Sequence, residues 1–374
     1  MTTIKLNKIV PYLMMVTYLT IPASLFAQTH VPLFVGTYTQ PGKSAGIYVY
    51  NFNQNTGSAD LITTFKTSNP SFLAKRADGR VIYAVNEMHD GTESLSAFAF
   101  DGKQLRLLNS MPTKGADPCH VALSERDPIA IVSNYSGGSF SLYRLNEDGS
   151  IASQDDFVQH TGAGVDKDRQ EKPHVHSAFF STDFSSVYVQ DLGTDKITIY
   201  PIVKDGVRYR LGDPTAISTP PGGGPRHIAL SRDGKYLYVI LEMTAKVIVY
   251  EKKMTDWKQI QEVAINRKDF QGRDGAADIK ISPDNRFLYA TNRLDANVVS
   301  AYQIKSDGRL SLLDTYDVQG KGPRNFNFSP NGKLLLVANQ LTDNVTVFRR
   351  NTKDGRLNGV QSNLNIFSPV CIVF

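Results

Sequence analysis

Short apolar runs, broken by polar turns of the Ser-x-Asp-Gly kind, recur along the chain in one fixed arrangement. A strand-like run opens near a Pro, enters the turn, and continues as a second run ending in Asn, Asp or Glu. The clearest copy is Pro225-Arg226-His227-Ile228-Ala229-Leu230-Ser231-Arg232-Asp233-Gly234, followed by Lys235-Tyr236-Leu237-Tyr238-Val239-Ile240-Leu241-Glu242. Other copies open at Pro70, Pro118, Val175, Ala276, Pro323 and Pro369, spaced from 46 residues (Pro323 to Pro369) to 57 residues (Pro118 to Val175). That period falls in the range of β-propeller blades, and no 3.6-residue helical periodicity is visible after residue 27.

The last copy supplies an opening strand, Pro369 to Phe374, and then stops. Its continuation stands at the other end, where Leu33 to Tyr38 and Gly46 to Tyr50 read as second and third strands. A blade assembled from both termini would close the ring and hide two sheet edges. The expected fold is therefore all-β, a seven-bladed β-propeller closed by pairing of N- and C-terminal strands. A repeat over nearly all of the 374 residues, with no Pro/Gly/Ser linker, argues for one propeller over residues 28–374. Its 28 Gly and 18 Pro suit a fold full of tight turns.

Residues 1–27 differ in kind. Lys5 and Lys8 precede an uncharged apolar stretch from Ile9 to Phe26, the layout of a signal peptide, so the mature chain is expected to be exported, to the periplasm. The alternative is an uncleaved membrane anchor, because Leu25 is not the small residue a cleavage site prefers. If the signal is cleaved, no stable membrane association is expected. The net charge of +5 is modest and no Lys/Arg cluster is interleaved with aromatics, which argues against a nucleic-acid partner. The two cysteines, Cys119 and Cys371, open non-neighbouring blades and read as buried apolar residues without a disulfide.

Superimposing the repeats gives three rings around the channel. The position after each opening residue reads Ser71, Cys119, His176, Arg226, Ala277, Arg324 and Val370; the next reads Phe72, His120, Ser177, His227, Asp278, Asn325 and Cys371. The end of the second strand gives Glu87, Tyr135, Leu192, Glu242, Arg293 and Gln340, with Tyr38 the counterpart in the shared blade. One step earlier, Asn86, Asn134, Asp191, Asn292 and Asn339 read as structural side chains that satisfy backbone at a turn. His176, Arg226, Glu242, Arg293 and Arg324 come from blades adjacent on one side of the ring. Arginines with a Glu and a His suit an anionic substrate undergoing proton transfer or hydrolysis.

Each candidate has a plainer alternative: an inter-blade salt bridge for the arginines and Glu242, a hydrogen-bonded inner strand for His120 and His227. His174 and His176 form a His-x-His pair, but no acidic third ligand stands at a matching spacing and no metal is expected. Gly222-Gly223-Gly224 could offer backbone amides to an anion, yet reads better as the turn between an outer strand and the next inner one.

The segments Lys172 to His176, Gly224 to His227, Tyr238 to Glu242 and Gly322 to Asn325, with the ending Pro369 to Ile372, resemble the seven-bladed propeller lactonase family, over roughly residues 31–374. That family includes the propeller type of 6-phosphogluconolactonase and the carboxymuconate cyclase. The resemblance implies hydrolysis of a sugar 1,5-lactone, 6-phospho-D-glucono-1,5-lactone to 6-phosphogluconate, without metal or organic cofactor. It implies a site of one His, one Glu and two Arg. Arg226 and Glu242 match the Arg-to-Glu pair, His176 the His, and the second Arg is either Arg293 or Arg324. His120, His174, His227, Arg324 and Asn325 are then expected to bind substrate, with Glu242 or His176 as base. An exported chain would meet a free aldonolactone rather than a phosphorylated one. A carboxymuconate-type cyclase and a non-catalytic sugar- or protein-binding propeller are the alternatives.

Overall fold

The computed structural model describes residues 1–2, 28–254 and 256–374, and of residues 360 and 361 the backbone alone. The expected leader thus lies outside the described residues, apart from its first two. Among those described, 29 strands and one 3-10 turn form seven antiparallel sheets arranged as the blades of a propeller. Blade 1 is the composite one. Pro369–Val373 is its innermost strand and pairs with His30–Thr37, Phe34 facing Val373 and Gly36 facing Cys371. Closure by the two termini is as the truncated last repeat predicts.

The blades pack through seven apolar clusters, one for each interface. Between blades 7 and 1, for example, Leu33, Val35 and Phe52 meet Leu334, Leu336, Val345 and Ile372. Between blades 5 and 6, Tyr238, Ile240 and Val247 meet Ile279, Leu288 and Tyr302. Every blade presents one apolar face to each neighbour, which is why its two central strands read as nearly continuous apolar runs. A second device recurs at three interfaces. The hydroxyls of Tyr83, Tyr238 and Tyr289 donate to the carbonyls of Gly149, Gly308 and Gly355 in the outer turn of the following blade. At Gly355 (φ +77°) a Cβ would stand 2.3 Å from the Phe287 ring, so both its backbone angle and its lack of a side chain are required.

Two blades depart from the regular repeat. Blade 4 has a fifth strand, because the long third strand Lys196–Asp205 turns back at Gly206 to pair with Arg208–Leu211 and also pairs with Thr215–Ser218. In blade 2 the inner strand shortens to Leu73–Lys75, although the repeat opens at Pro70. The Pro70 carbonyl lies against Gly36, where a Cβ would be 2.3 Å from its oxygen, and Asn69 adopts φ +40°; the chain is held off the ladder there.

The feature that matters most for the channel is a bulge repeated in the inner strands. In blades 3, 4, 5 and 7 the register skips Cys119, His176, Arg226 and Arg324, and in blade 1 it skips Val370. In blade 6 it skips Ala277 and Asp278. A bulge breaks the strict alternation of side chains and re-aims the extra residue. The first inner ring of the sequence is thus, apart from Ser71 in blade 2, the ring of bulged residues.

The Asn/Asp series does the structural work expected of it. Asn86 Nδ2 donates to the Ser68 carbonyl at 2.6 Å, Asp191 Oδ1 accepts from the His174 amide at 2.8 Å, and Asn292 Oδ1 accepts from the Gly275 amide at 2.9 Å. The glycine run is also a turn. Asp195 takes the Gly222 and Gly224 amides at 2.7 and 2.8 Å, so these donors are already committed. Cys119 and Cys371 are free and buried in separate blades, and burial pushes the Cys371 thiol up to about 12.

Candidate active site

Arg226 and Glu242 enter the site from consecutive strands of blade 5. The bulge lifts Arg226 out of the ladder between Pro225 and His227, while Glu242 follows the last paired residue of the second strand, its amide held by Gly224 O at 2.8 Å. Both are buried, at 2% and 7% exposure. Glu242 Oε2 accepts from Arg226 Nε at 2.8 Å and stands 3.1 Å from Arg293 Nη2; Oε1 accepts from Arg169 Nη2 at 2.7 Å. Arg226 Nη1 also donates to the Ala277 carbonyl, and Arg293 Nε to Gly275 O at 2.8 Å. One carboxylate therefore collects three guanidinium groups from three parts of the chain.

Arg324 enters from blade 7. Its Nη2 donates to the Tyr38 hydroxyl at 2.9 Å, the guanidinium lies over the Tyr38 ring at 5.4 Å, and that hydroxyl donates to Glu87 Oε1 at 2.8 Å. In blades 3 and 4 the Tyr135 ring stacks on His174 at 4.7 Å and meets the His176 ring edge-on at 5.5 Å. His174 Nε2 is 3.2 Å from both Glu171 oxygens.

Electrostatics sort these groups into roles. Burial alone would raise the Glu242 carboxyl, but Arg293, Arg226 and Arg169 outweigh it and hold it at about 2. Glu242 is a fixed anion and a poor proton acceptor. Burial pulls His176 well below its usual value, and the charges of Arg226, His227, Arg324 and Arg293 add to the effect. It is therefore a neutral imidazole near pH 7, and its Nδ1 has no hydrogen-bond partner among the described residues. Four arginines face two carboxylates, Glu242 and Glu87, leaving the cluster with surplus positive charge.

The four residues expected to be catalytic, His176, Arg226, Glu242 and Arg293, are thus brought together, and Arg324 with them; both candidates for the second arginine line the same cluster. His174 sits at its edge. His120, His227 and Asn325 do not join it. Their rings and amide form a packed floor in which His120 contacts Phe72, Phe179 and His227, with ring centroids 4.3, 4.9 and 5.4 Å away. Asn325 spends both ends of its amide on Asp278 and the Ile372 amide, at 2.7 and 2.8 Å, because the channel there is closed by hydrogen bonds between inner strands. These three were expected to bind substrate; their contacts are with one another, with the channel wall and, for His227, with the His176 ring at 5.4 Å.

Arg169 escaped the repeat-based reading because it belongs to no repeat position. It lies on the connection between blades 3 and 4, where Asp166 Oδ1 accepts from the Asp168 and Arg169 amides and the buried Gln170 donates to Leu192 O at 2.8 Å. The signal for it was the 57-residue spacing from Pro118 to Val175, the widest in the chain. Among the described residues no group of three His, Cys, Asp or Glu is arranged to hold a metal.

The family described as "Lactonase, 7-bladed beta-propeller" matches residues 32–374. A 6-phosphogluconolactonase of Formosa agariphila is 35% identical over 79% of this chain and 85% of its own, and one of Bacillus subtilis is 33% identical over 91% and 97%. The solved structure of the periplasmic gluconolactonase of Pseudomonas aeruginosa superimposes with a TM-score of 0.87 at 33% identity, covering 91% of this chain and 98% of that one. Terminal closure, bulged inner ring and continuous match agree, and the chain belongs to the seven-bladed β-propeller lactonase family.

Proposed function

We propose that this protein hydrolyses a sugar 1,5-lactone, with His176 as general base and Arg226 as the group that stabilises the developing oxyanion. The observation that carries this reading is the buried Glu242 carboxylate that gathers buried Arg226, half-buried Arg293 and exposed Arg169, with Arg324 and a neutral His176 beside it. Lactone opening places negative charge first on the carbonyl oxygen and then on the product carboxylate. A pre-arranged cationic site that needs no reorganisation stabilises both.

The division of labour follows from protonation state. Water attacks the lactone carbonyl and loses its proton to His176, which is unprotonated in the resting site. The C1–O5 bond breaks, and the ring oxygen leaves as a hydroxyl by taking that proton. Glu242 keeps Arg226 and Arg293 aimed into the site and their charge partly balanced. Arg324 has one donor on Tyr38 and offers the rest of its guanidinium to the substrate end remote from the carbonyl, hydroxyls in a free lactone or the phosphate in a phosphorylated one.

The phosphorylation state of the substrate and the compartment belong together in this reading. The leader-like layout of residues 1–27 favours export, and a periplasmic enzyme would take a free aldonolactone. Purified mature protein assayed by pH-stat on glucono-1,5-lactone and its 6-phosphate, corrected for spontaneous opening, tests the activity and separates the two substrates. Fractionation of the producing cell with N-terminal sequencing tests the export. Turnover no faster than spontaneous opening on every sugar lactone tried would refute the assignment.

A further inference from the structure

Beneath the cationic cluster, Asp278 is the hub of a buried network that the roles above leave unused. Its Oδ1 accepts from His227 Nδ1 at 2.9 Å and from the Ile279 amide at 2.9 Å. Its Oδ2 accepts from Lys280 Nζ at 2.6 Å, Asn325 Nδ2 at 2.7 Å and the Phe326 amide at 3.2 Å. Five donors on one carboxylate at 1% exposure make it an anion, and an anion at Nδ1 fixes the tautomer of His227 with the proton on that nitrogen. His227 Nε2 is then a bare lone pair. It is buried and has no partner among the described residues, as is His176 Nδ1 in the neighbouring ring, 5.4 Å away between centroids.

The geometry points to Asp278 and His227 as positioning residues for His176: the carboxylate fixes the His227 tautomer, and the His227 lone pair holds the imidazole of His176 through one bridging water, so that its other nitrogen is the base in the site. Two partnerless nitrogens on rings at that separation can share one bridging water. The arrangement answers an electrostatic difficulty. When His176 takes a proton from water it becomes a cation among four arginines, and an acceptor on its far side backed by an ionised carboxylate offsets part of that repulsion. Of His120, His176 and His227, His227 is the one with a carboxylate on its ring. The groups around it are Arg226 on its own strand, Asp278 and Lys280 from blade 6, His120 from blade 3 and His176 from blade 4.

The inference rests on the reading of His176 as base, and its test separates the two. In Asp278→Asn the three donors on the Oδ2 side hold the amide oxygen there and turn its NH2 toward His227 Nδ1, which reverses the tautomer. His227→Phe removes the acceptor while keeping a ring against Phe72, His120 and Phe179. Each variant is expected to lose roughly 10- to 100-fold in kcat with KM for the lactone unchanged within about twofold. In the parent, ¹⁵N spectra of histidine-labelled protein should show His227 protonated on Nδ1. Parent-like kcat in His227→Phe, or a parent His227 protonated on Nε2, overturns the inference; the spectrum decides even if Asp278→Asn fails to fold. Absence of lactone turnover in the parent with the expected His227 tautomer would sink the reading of function and leave the tautomer assignment standing.

Discussion

Arg226 and Glu242, sixteen residues apart on adjoining strands, share a 2.8 Å hydrogen bond where neither exceeds 7% exposure. A buried pair of this kind adds little net stability, but removing one member strands the other in a poor solvent. Glu242→Gln would strand the buried Arg226 and the half-buried Arg293, while exposed Arg169 turns to water, so melting should fall by the equivalent of about 3–5 kcal/mol. Activity should fall with it, and strong nucleophiles in the buffer should not restore it. Rescue by such nucleophiles at unchanged melting temperature would make Glu242 the base and displace His176.

Arg226 itself should show the signature of a group used in the transition state. Replacement by Ala is expected to lower kcat by roughly 10²- to 10³-fold with little change in KM, as loss of an oxyanion donor commonly does. A rise in KM at constant kcat would mean that Arg226 only binds substrate. Arg226→Lys is not a conservative control, because one ammonium cannot bridge both Glu242 and the Ala277 carbonyl with the planar fork of the parent.

Arg324 separates the possible substrates. Its pairing with Tyr38 leaves donors unspent, and burial, which would lower its pKa, is outweighed by Tyr38 and Glu87, so it stays charged throughout the working range. Arg324→Ala should raise KM for a phosphorylated lactone more than for the free one, by about tenfold or more if the phosphate contacts it. Equal effects on both substrates would place the anionic end elsewhere.

The ring and its closure were legible because each blade repeats one hydrophobic pattern, and the missing strands of the last copy stood at the other terminus. The cluster on Glu242 was half legible. Arg226, Glu242, Arg293 and Arg324 occupy repeat positions where charge departs from the blade-to-blade norm, but Arg169 lies on an irregular connection with no counterpart to compare. The floor was legible only in part: superimposed repeats show that His120, His227 and Asn325 face the axis, but not that they pack against one another and against Phe72, Phe179 and Asp278. Sequence likewise names Glu242 as a possible base without revealing that three arginines remove its basicity.

Closure makes its own prediction. Val370, Cys371 and Ile372 are at 1%, 0% and 1% exposure, and the strand covers the inner edge of His30–Thr37. Each buried aliphatic side chain is worth roughly 1.5–3 kcal/mol, so deleting residues 369–374 should remove several kcal/mol and open a sheet edge to aggregation. A truncated protein that melts like the parent would show that the terminal strand does not hold the ring.

Acid stability tests the buried histidines. His227 has a folded value of about 4, because burial lowers it more than Asp278 restores it, and His120 is pushed well below its usual value by burial, then by His227 and Lys280. A histidine held neutral in the fold takes up its proton more readily when unfolded, so stability should fall as pH drops below about 6.5 and continue falling toward the folded value. Glu242 adds a second window with the carboxylate sign: its stabilisation is complete above its usual 4.5 and is lost as pH falls through about 2. His120→Phe isolates one contribution, since a ring is kept between Phe72 and Phe179 while one titrating group is removed. Between pH 6 and 4.5 the variant should lose stability less steeply than the parent, by up to about 1.4 kcal/mol per pH unit, the slope for one proton. Denaturant unfolding at several pH values measures that slope directly, and identical slopes in parent and variant would mean that His120 protonates as easily in the fold as in the unfolded chain.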